Sequence, residues 1–360
     1  MPPHLFVDIS SHGFGHLGQT APMLAELRQR LPLMRLTVRC GLAKAVLAGR
    51  IPGDFIHIRE MSDFGYLQHD ALNIDHDASR RAYQEAHADF PARIAAEAAF
   101  LQRLRPDLVL SNVAYLPLAG AGAAGIPAVA MSSLNWLDLA RHYYGGEGWA
   151  LPVLAEMEAA YASADFFIAP TPAMPMACLV RRRPVGPIAR VAEPDARRRV
   201  RAALQIREDE TLVLVAMGGF DMDMPTEHWP HRPGLRYLMP EAWDCPHPAA
   251  LHFSRSGHDF TELLRAADAV LTKPGYGTIA EAGCNGTPLL YLSRQDWPEE
   301  EYLVSWLSRV GRCRQVSRAS LDDGTWVADL EALLSQAPKP RVQPTGIAEA
   351  ADLLLPYLTG

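Results

Sequence analysis

Lys273-Pro-Gly-Tyr-Gly-Thr-Ile-Ala-Glu-Ala-Gly-Cys-Asn-Gly-Thr-Pro288, running into the apolar Leu289–Leu292, reads as a strand end, a glycine-bearing turn, a helix and a second strand. That order of parts suits a phosphate. Glycines let backbone N–H groups approach an anion closely, and the N-terminus of the next helix adds partial positive charge. Glu281, on the first turns of that helix, is placed to accept hydrogen bonds from a ribose diol. The segment therefore reads as half of a nucleotide-sugar site or as an ordinary α/β loop, and the rest of the chain decides between them.

A second glycine loop lies near the start. Leu5–Ile9 breaks into Ser10-Ser-His-Gly-Phe-Gly-His-Leu-Gly18, and Met23, Leu24, Leu27 and Leu31 then recur on one helical face. His12 and His16 stand four apart, the spacing of a zinc pair on an unbroken helix. Gly13 and Gly15 break the helix, however, and no third ligand follows at matching spacing. A tight loop that aims one imidazole from a helix N-terminus fits better. His16 is then a candidate general base on an acceptor hydroxyl, with an ordinary pKa near ~6.5. The competing reading has either ring capping the helix or bonding the loop. Asp8, inside the first strand, is a candidate either to orient a histidine or to bond backbone N–H groups. Gly13–Gly18 also matches GxGxxG in form, but the acid expected about 20 residues on is replaced by Arg39. That arginine would suit NADP and leaves a dinucleotide-dependent oxidoreductase as a minor alternative.

Between and beyond these loops, strands and helices alternate. Strands are expected at Leu36–Cys40, Phe55–Ile58, Leu108–Leu110, Ala128–Met131 and Phe166–Ala169. Helices are expected over Ala86–Leu104, within Pro117–Gly125 and over Leu151–Ala164. This pattern implies a parallel sheet with right-handed crossovers. Pro170, Pro172, Pro175, Pro184, Pro187 and Pro194 then suit a linker. The cycle restarts with a helix around Arg198–Gln205, a strand at Thr211–Ala216, a turn at Gly218-Gly219 and a strand at Ala269–Thr272. Residues 225–248 read as loops around one short strand. The expected fold is α/β: two Rossmann-like domains facing across a cleft, residues 1–185 and 186–345, with a last helix in 346–360 crossing back onto the first.

With 360 residues, 49% of them hydrophobic, the chain can fill two cores. A net charge of −7 argues against a nucleic-acid partner, which needs a dense basic face. The arginines at 181–183, 197–199 and 201 are the local exception. They read as a solvated or interdomain face, or as a site for an anionic acceptor or a membrane surface. No apolar run is long enough to span a membrane, and no signal peptide precedes the first strand, so a cytoplasmic location is expected. Cys40, Cys178, Cys245, Cys284 and Cys313 never form a CxxC pair, which argues against a disulfide framework and a zinc cluster.

Further candidates flank the opening segment. Gly218 and Gly219 allow close backbone approach, and Lys273 can meet a diphosphate. After Leu289–Leu292 the acidic run with Glu299 and Glu300 reads as ligands for sugar hydroxyls or as a helix start.

These motifs resemble the GT-B glycosyltransferases, and within them the glycosyltransferase-like N-terminal domain of L-arabinokinases. Ser11-His-Gly-Phe-Gly-His16 is similar to that domain's GHGFGH loop, and Lys273–Ala282 to its KIGYGTxxEA segment. Arg294 with Glu299-Glu300, Ser111-Asn-Val113, Ala124-Gly-Ile126 and Trp136 extend the resemblance from about residue 5 to about residue 310. The kinase part has no counterpart here, so galactokinase-type chemistry is not implied. A wider resemblance is to the peptidoglycan N-acetylglucosaminyl transferase.

The resemblance implies a hexosyl- or N-acetylhexosaminyl-type transferase. It would be inverting and metal-independent, with no cofactor beyond a nucleotide-sugar co-substrate, UDP-linked by expectation, and with a hydroxyl acceptor. Glu281 becomes the ribose ligand, and Gly275, Gly277 and Thr278 the phosphate cradle, with Tyr276, Lys273, Gly218 and Gly219 beside them. His16 becomes the base. His12, Gly13, Gly15, Trp136, Arg294, Glu299 and Glu300 fall to the sugar or the acceptor. Asn112 departs from the pattern, standing where the kinase-fused domain has an acid. A non-catalytic GT-B binding module and a nucleotide-sugar epimerase stay open as alternatives.

Overall fold

A computed structural model of the chain describes residues 2–179, 181–218, 224–241, 243, 245 and 247–360. Gly219 lies outside the described residues. The chain divides into two compact units: residues 1–69, 74–188 and 345–360 form unit 1, and residues 70–73 and 189–344 form unit 2.

Unit 1 runs β1 His4–Ile9, α1 Gly15–Arg30, β2 Arg35–Arg39, α2 Lys44–Ala48, β3 Ile56–Ile58, α3 His76–Ala86, α4 Phe90–Leu104 and β4 Leu108–Asn112. It continues with α5 Leu116–Ala124, β5 Ala128–Met131, α6 Trp136–Tyr144, α7 Ala150–Ala162, β6 Phe166–Pro170 and β7 Arg182–Val185. Its seven strands lie in the order β3-β2-β1-β4-β5-β6-β7, all parallel. The order reverses around β1, so the loop after β1 sits at a switch point, where open α/β sheets place ligands beyond the strand carboxyl ends.

Unit 2 runs α8 Ala196–Ala203, β8 Thr211–Ala216, β9 Leu235–Met239, β10 Ala250–His252, α9 Phe260–Ala266, β11 Ala269–Thr272 and α10 Tyr276–Asn285. After these come β12 Leu289–Leu292, α11 Glu299–Val310, β13 Cys313–Val316, α12 Arg318–Asp323 and α13 Val327–Leu334. Its sheet order, β10-β9-β8-β11-β12-β13, repeats the reversal around β8 and β11. Helices cover both faces, which is why its strands read as continuous apolar runs. Along β8, Leu212 and Leu214 enter one core cluster while Val213 and Val215 enter the other.

The chain then returns to unit 1 as α14, Gly346–Thr359, whose Ala350, Leu354 and Leu358 join the core of β1 and α1. Arg30 on α1 pairs with Asp352. A Cβ at Gly346 would fall 2.0 Å from the Gly186 carbonyl, so only glycine allows this crossing.

Two expectations change. The helix read over 86–104 starts only at Phe90, since Ala86 ends α3; Asp89 caps α4 by accepting from the Ala92 N–H at 3.2 Å, and Pro91, which lacks an N–H, sits in its first turn. The proline-rich linker contributes a strand, β7, which tolerates Pro184 because it lies at the sheet edge. Of the four arginines of α8, Arg197 and Arg201 both reach Asp268, at 2.7 and 3.1 Å, and Arg199 reaches Glu262 at 2.8 Å, while the Arg198 side chain stays 80% exposed, as the solvated helix face weighed for this run.

Candidate functional site

In unit 2 the buried strand β11 delivers the chain to Lys273, and α10 begins three residues later. Gly275, its N-cap, is extended (φ −153°, ψ 145°) and offers no side chain to the first N–H groups of the helix. A Cβ at Gly275 or at Gly277 would meet nothing within 4 Å. Neither conformation nor internal packing requires glycine at these two positions. What they produce is bare backbone with orphan N–H donors at the helix start, including that of Thr278.

Two cations flank this turn. Lys273 lies against Gly218 (φ 76°), where a Cβ would stand 3.3 Å from Cε. Burial, followed by repulsion from Arg294, lowers the Lys273 pKa to about 7 against a smaller opposing pull from Glu299. Arg294 is 4% exposed, and its guanidinium lies 4.1 Å over the Trp297 ring. Trp297 Nε1–H donates to Glu299 at 3.1 Å. Glu300 accepts from Ser293 Oγ at 2.5 Å and from the Arg294 N–H at 2.6 Å, so both of its oxygens hold the loop that carries Arg294. This is the helix-start reading of the acidic run. Glu281, 7% exposed on the second turn of α10, accepts from Thr261 Oγ1 of α9 at 3.4 Å. Tyr276 is 3% exposed and packs inward with Ile279 and Trp306. Its ring anchors α10, so the expected place of Tyr276 beside the nucleotide falls to its backbone and not to its ring.

In unit 1 the loop after β1 enters α1 at Gly15, and His16 on its first turn is 5% exposed. His16 Nδ1 lies 2.8 Å from Asn112 Oδ1 at the end of β4. The Asn112 amide nitrogen donates to Thr20 Oγ1 at 3.0 Å and Gln19 Oε1 at 3.2 Å, which assigns Oδ1 as the acceptor facing His16. His16 is thus the Nδ1–H tautomer, with Nε2 as its basic nitrogen. Burial lowers its pKa to about 4, and the bond to Asn112 only partly opposes this, so the ring is neutral at pH 7.

The surrounding residues hold this arrangement. His12 Nε2–H donates to the Tyr66 carbonyl at 3.0 Å, the loop-bonding role weighed for it. Trp136, expected to touch a sugar or acceptor, is 0% exposed. Its ring packs edge-on against His12 and His16 at 5.4 and 5.7 Å, and its Nε1–H donates to Asp63 at 2.6 Å. It therefore supports the histidines instead of meeting a ligand. Gly13 (φ 77°) makes the bend that leads into α1, and a Cβ at Gly15 would meet nothing within 4 Å. Asp8 does not orient a histidine. It receives Arg39 Nε–H at 2.5 Å and Ser62 Oγ–H at 2.6 Å, while the remaining fork of Arg39 grips Glu97 at 2.6 and 2.9 Å. Arg39 is therefore committed to two carboxylates and is not available for a 2′-phosphate, which removes the basis of the dinucleotide alternative.

Among the described residues no three histidines, cysteines or acids converge as metal ligands, and no helix is long and apolar enough to cross a membrane. The five cysteines are free.

Known proteins share this architecture. The calicheamicin glycosyltransferase CalG4 superposes over 100% of this chain and 99% of its own, with TM-score 0.65 and 17% identity. The chain has the GT-B fold. A second GT-B structure, UGT89C1 of Arabidopsis thaliana complexed with UDP, matches over 98% of this chain and 94% of its own, with TM-score 0.58 and 15% identity. In sequence, L-arabinokinase of Arabidopsis thaliana is 25% identical over 336 residues, 92% of this chain; the chain spans about a third (32%) of that relative. No family model matches. Sequence reasoning missed Thr261, Asp63, Trp297 and the supporting roles of Asn112 and Trp136 within this GT-B chain. The Asn135-x-x-Asp138 cap, in which Asn135 accepts from the Asp138 N–H at 2.8 Å, was the available signal for the helix that begins at Trp136.

Proposed function

We propose that the protein is a glycosyltransferase that moves a sugar from a nucleoside-diphosphate donor, uridine-linked, to a hydroxyl acceptor with inversion. The observation that carries this reading is the pairing of Lys273 and Arg294 at the bare N-terminus of α10 in a GT-B chain. Two cations and orphan N–H groups supply the charge needed by a departing diphosphate, which supports metal-independent transfer of a hexosyl or N-acetylhexosaminyl group. Unit 2 takes the donor. Glu281 accepts from the ribose diol, the amides at Gly275, Gly277 and Thr278 hold phosphate oxygens, and Glu300 shapes the loop without touching the sugar.

Unit 1 takes the acceptor. His16 Nε2 removes the acceptor hydroxyl proton as the oxygen bonds to the anomeric carbon. The bond from that carbon to the diphosphate oxygen breaks in the same step, and the diphosphate leaves with the electron pair. The reading needs no cofactor beyond the nucleotide-sugar itself. UGT89C1 was crystallised with UDP, which favours uridine as the first base to try.

One observation favours a second reading, a binding module without turnover. Asn112 gives His16 no negative partner, and burial leaves the ring a weak base. Titration with UDP, dTDP and GDP, followed by assays of donor hydrolysis and transfer with EDTA present, tests both. The transferase reading expects UDP binding and turnover; binding with no hydrolysis or transfer across acceptors supports the module.

A further inference from the structure

Asp63, on the loop between β3 and α3, belongs to no role assigned so far. Its Oδ2 accepts the Trp136 indole N–H at 2.6 Å, and Trp136 is packed against both histidines of the β1–α1 loop. The next residues of the same loop close the arrangement. A Cβ at Gly65 (φ 61°) would meet His12 Cδ2 at 2.9 Å and Trp136 at 3.0 Å, and the Tyr66 carbonyl holds His12. We propose that Asp63 is a positioning residue of this site: by accepting the indole N–H it pins the Trp136 ring against His12 and His16 and fixes where the His16 imidazole points.

The inference rests on the reading of His16 as the base. Its chemistry follows from the charges that face Asp63: Asp8 from β1, Arg39 and Cys40 from β2, Tyr83 from α3, Arg93 from α4, Tyr115 ahead of α5 and Tyr161 from α7. The fork of Arg39 is committed to Asp8 and Glu97. Three carboxylates thus gather around one guanidinium, and Asp63 is the one that Arg39 does not grip, held instead by the Trp136 indole and the Ser10 side chain. Burial first, and then the charge of Asp8, raise its pKa to about 7 against the opposing pulls of Trp136, Ser10 and Arg39. Asp63 ionises around neutrality. The ionised form makes a charge-assisted bond to the indole and places negative charge one ring away from His16, so the imidazole is held most firmly above pH 7.

Proton NMR of the ligand-free protein tests this, with the Trp136 indole resonance assigned by its loss in Trp136→Phe. Wild type should show contacts between the Trp136 ring and the His16 ring, and an indole N–H shift that titrates around pH 7. Asp63→Asn, whose amide oxygen still accepts the indole proton, should keep the contacts and lose the titration; Asp63→Ala should lose both. Contacts unchanged in Asp63→Ala, or a titration that persists in Asp63→Asn, would overturn the proposal. If Asp63→Ala fails to fold, the titration in Asp63→Asn decides alone. Neither readout uses a donor or an acceptor, so failure here and failure of the transferase reading are separate outcomes.

Discussion

Asn112 Oδ1 accepts the His16 Nδ1–H at 2.8 Å, so a neutral amide orients the imidazole where a carboxylate would both orient it and stabilise its charge. The geometry of a base–orienter pair is kept and its electrostatics are weakened. Asn112→Asp should therefore raise the His16 pKa from about 4 by about one to three units, read as the midpoint of the His16 ring resonances. Turnover at pH 7 should rise with it. A midpoint that does not move would show that the carboxylate fails to reach Nδ1.

His16→Ala should lower transfer by about 10²–10⁴-fold and leave UDP affinity unchanged, because the ring acts on the acceptor. Unimpaired transfer removes His16 as the base. The same residue affects stability. Its folded pKa lies below the ordinary 6.5, so its contribution is full above pH 6.5 and is lost as pH falls through about 4. Over that window wild type should lose up to about 3 kcal/mol more than His16→Gln in denaturant titrations.

Lys273 predicts how donor binding depends on pH. Its ammonium in the free protein loses its proton near pH 7, well below the ordinary 10.5, whereas a bound diphosphate favours the charged form. Binding should then take up a proton above pH 7. The Kd for UDP should rise by up to about tenfold per pH unit there, and calorimetry in buffers of different ionisation enthalpy should register the uptake. Lys273→Met should bind more weakly at pH 6.5 and show a flat profile. A wild-type affinity constant from pH 6.5 to pH 9 would remove Lys273 from the diphosphate site.

Glu281→Ala should weaken UDP binding by about 10- to 100-fold, the worth of charge-assisted bonds from a ribose diol. Wild type should prefer UDP over 2′-deoxy-UDP, and the variant should not. Equal affinity of wild type for both nucleotides would contradict the ribose role.

Below the His16 loop, Arg39 is 5% exposed and is gripped by Asp8 and Glu97. Glu97→Ala should cost about 3–5 kcal/mol in urea unfolding, because it leaves a guanidinium buried with half its partners. Gly120→Ala should also destabilise, since its Cβ would lie 2.3 Å from Glu97 Cγ. A loss under about 1 kcal/mol for Glu97→Ala would mean that water reaches Arg39.

Much of the fold was legible because its signals are local. Apolar runs at β1, β8, β11 and β12 alternate with helical spacing, and the first three lead into glycine turns, so the two sheets could be read from pattern alone. The segment from Lys273 to Leu292 held its reading as strand, turn, helix and strand. The site was less legible. Trp136 and Tyr276 carry the composition of ligand-binding aromatics, yet both are buried, and nothing in a one-dimensional string separates a ring that meets a ligand from one that braces its neighbours. Asp8 and Arg39 stood out near the glycine loop, but their mutual pairing joins β1 to β2 across 31 positions and has no local signature.

The sequence by itself determined two glycine turns, two cycles of strand and helix, and the positions of Lys273, Glu281 and His16 within them, because backbone conformation and hydrophobic period are written residue by residue. Only the tertiary structure decided that Asn112 orients His16, that Asp63 reaches Trp136 and that Arg294 stands beside Lys273. Those pairings join residues 96, 73 and 21 positions apart, and they set protonation through burial and neighbouring charge, which depend on what the folded chain brings together.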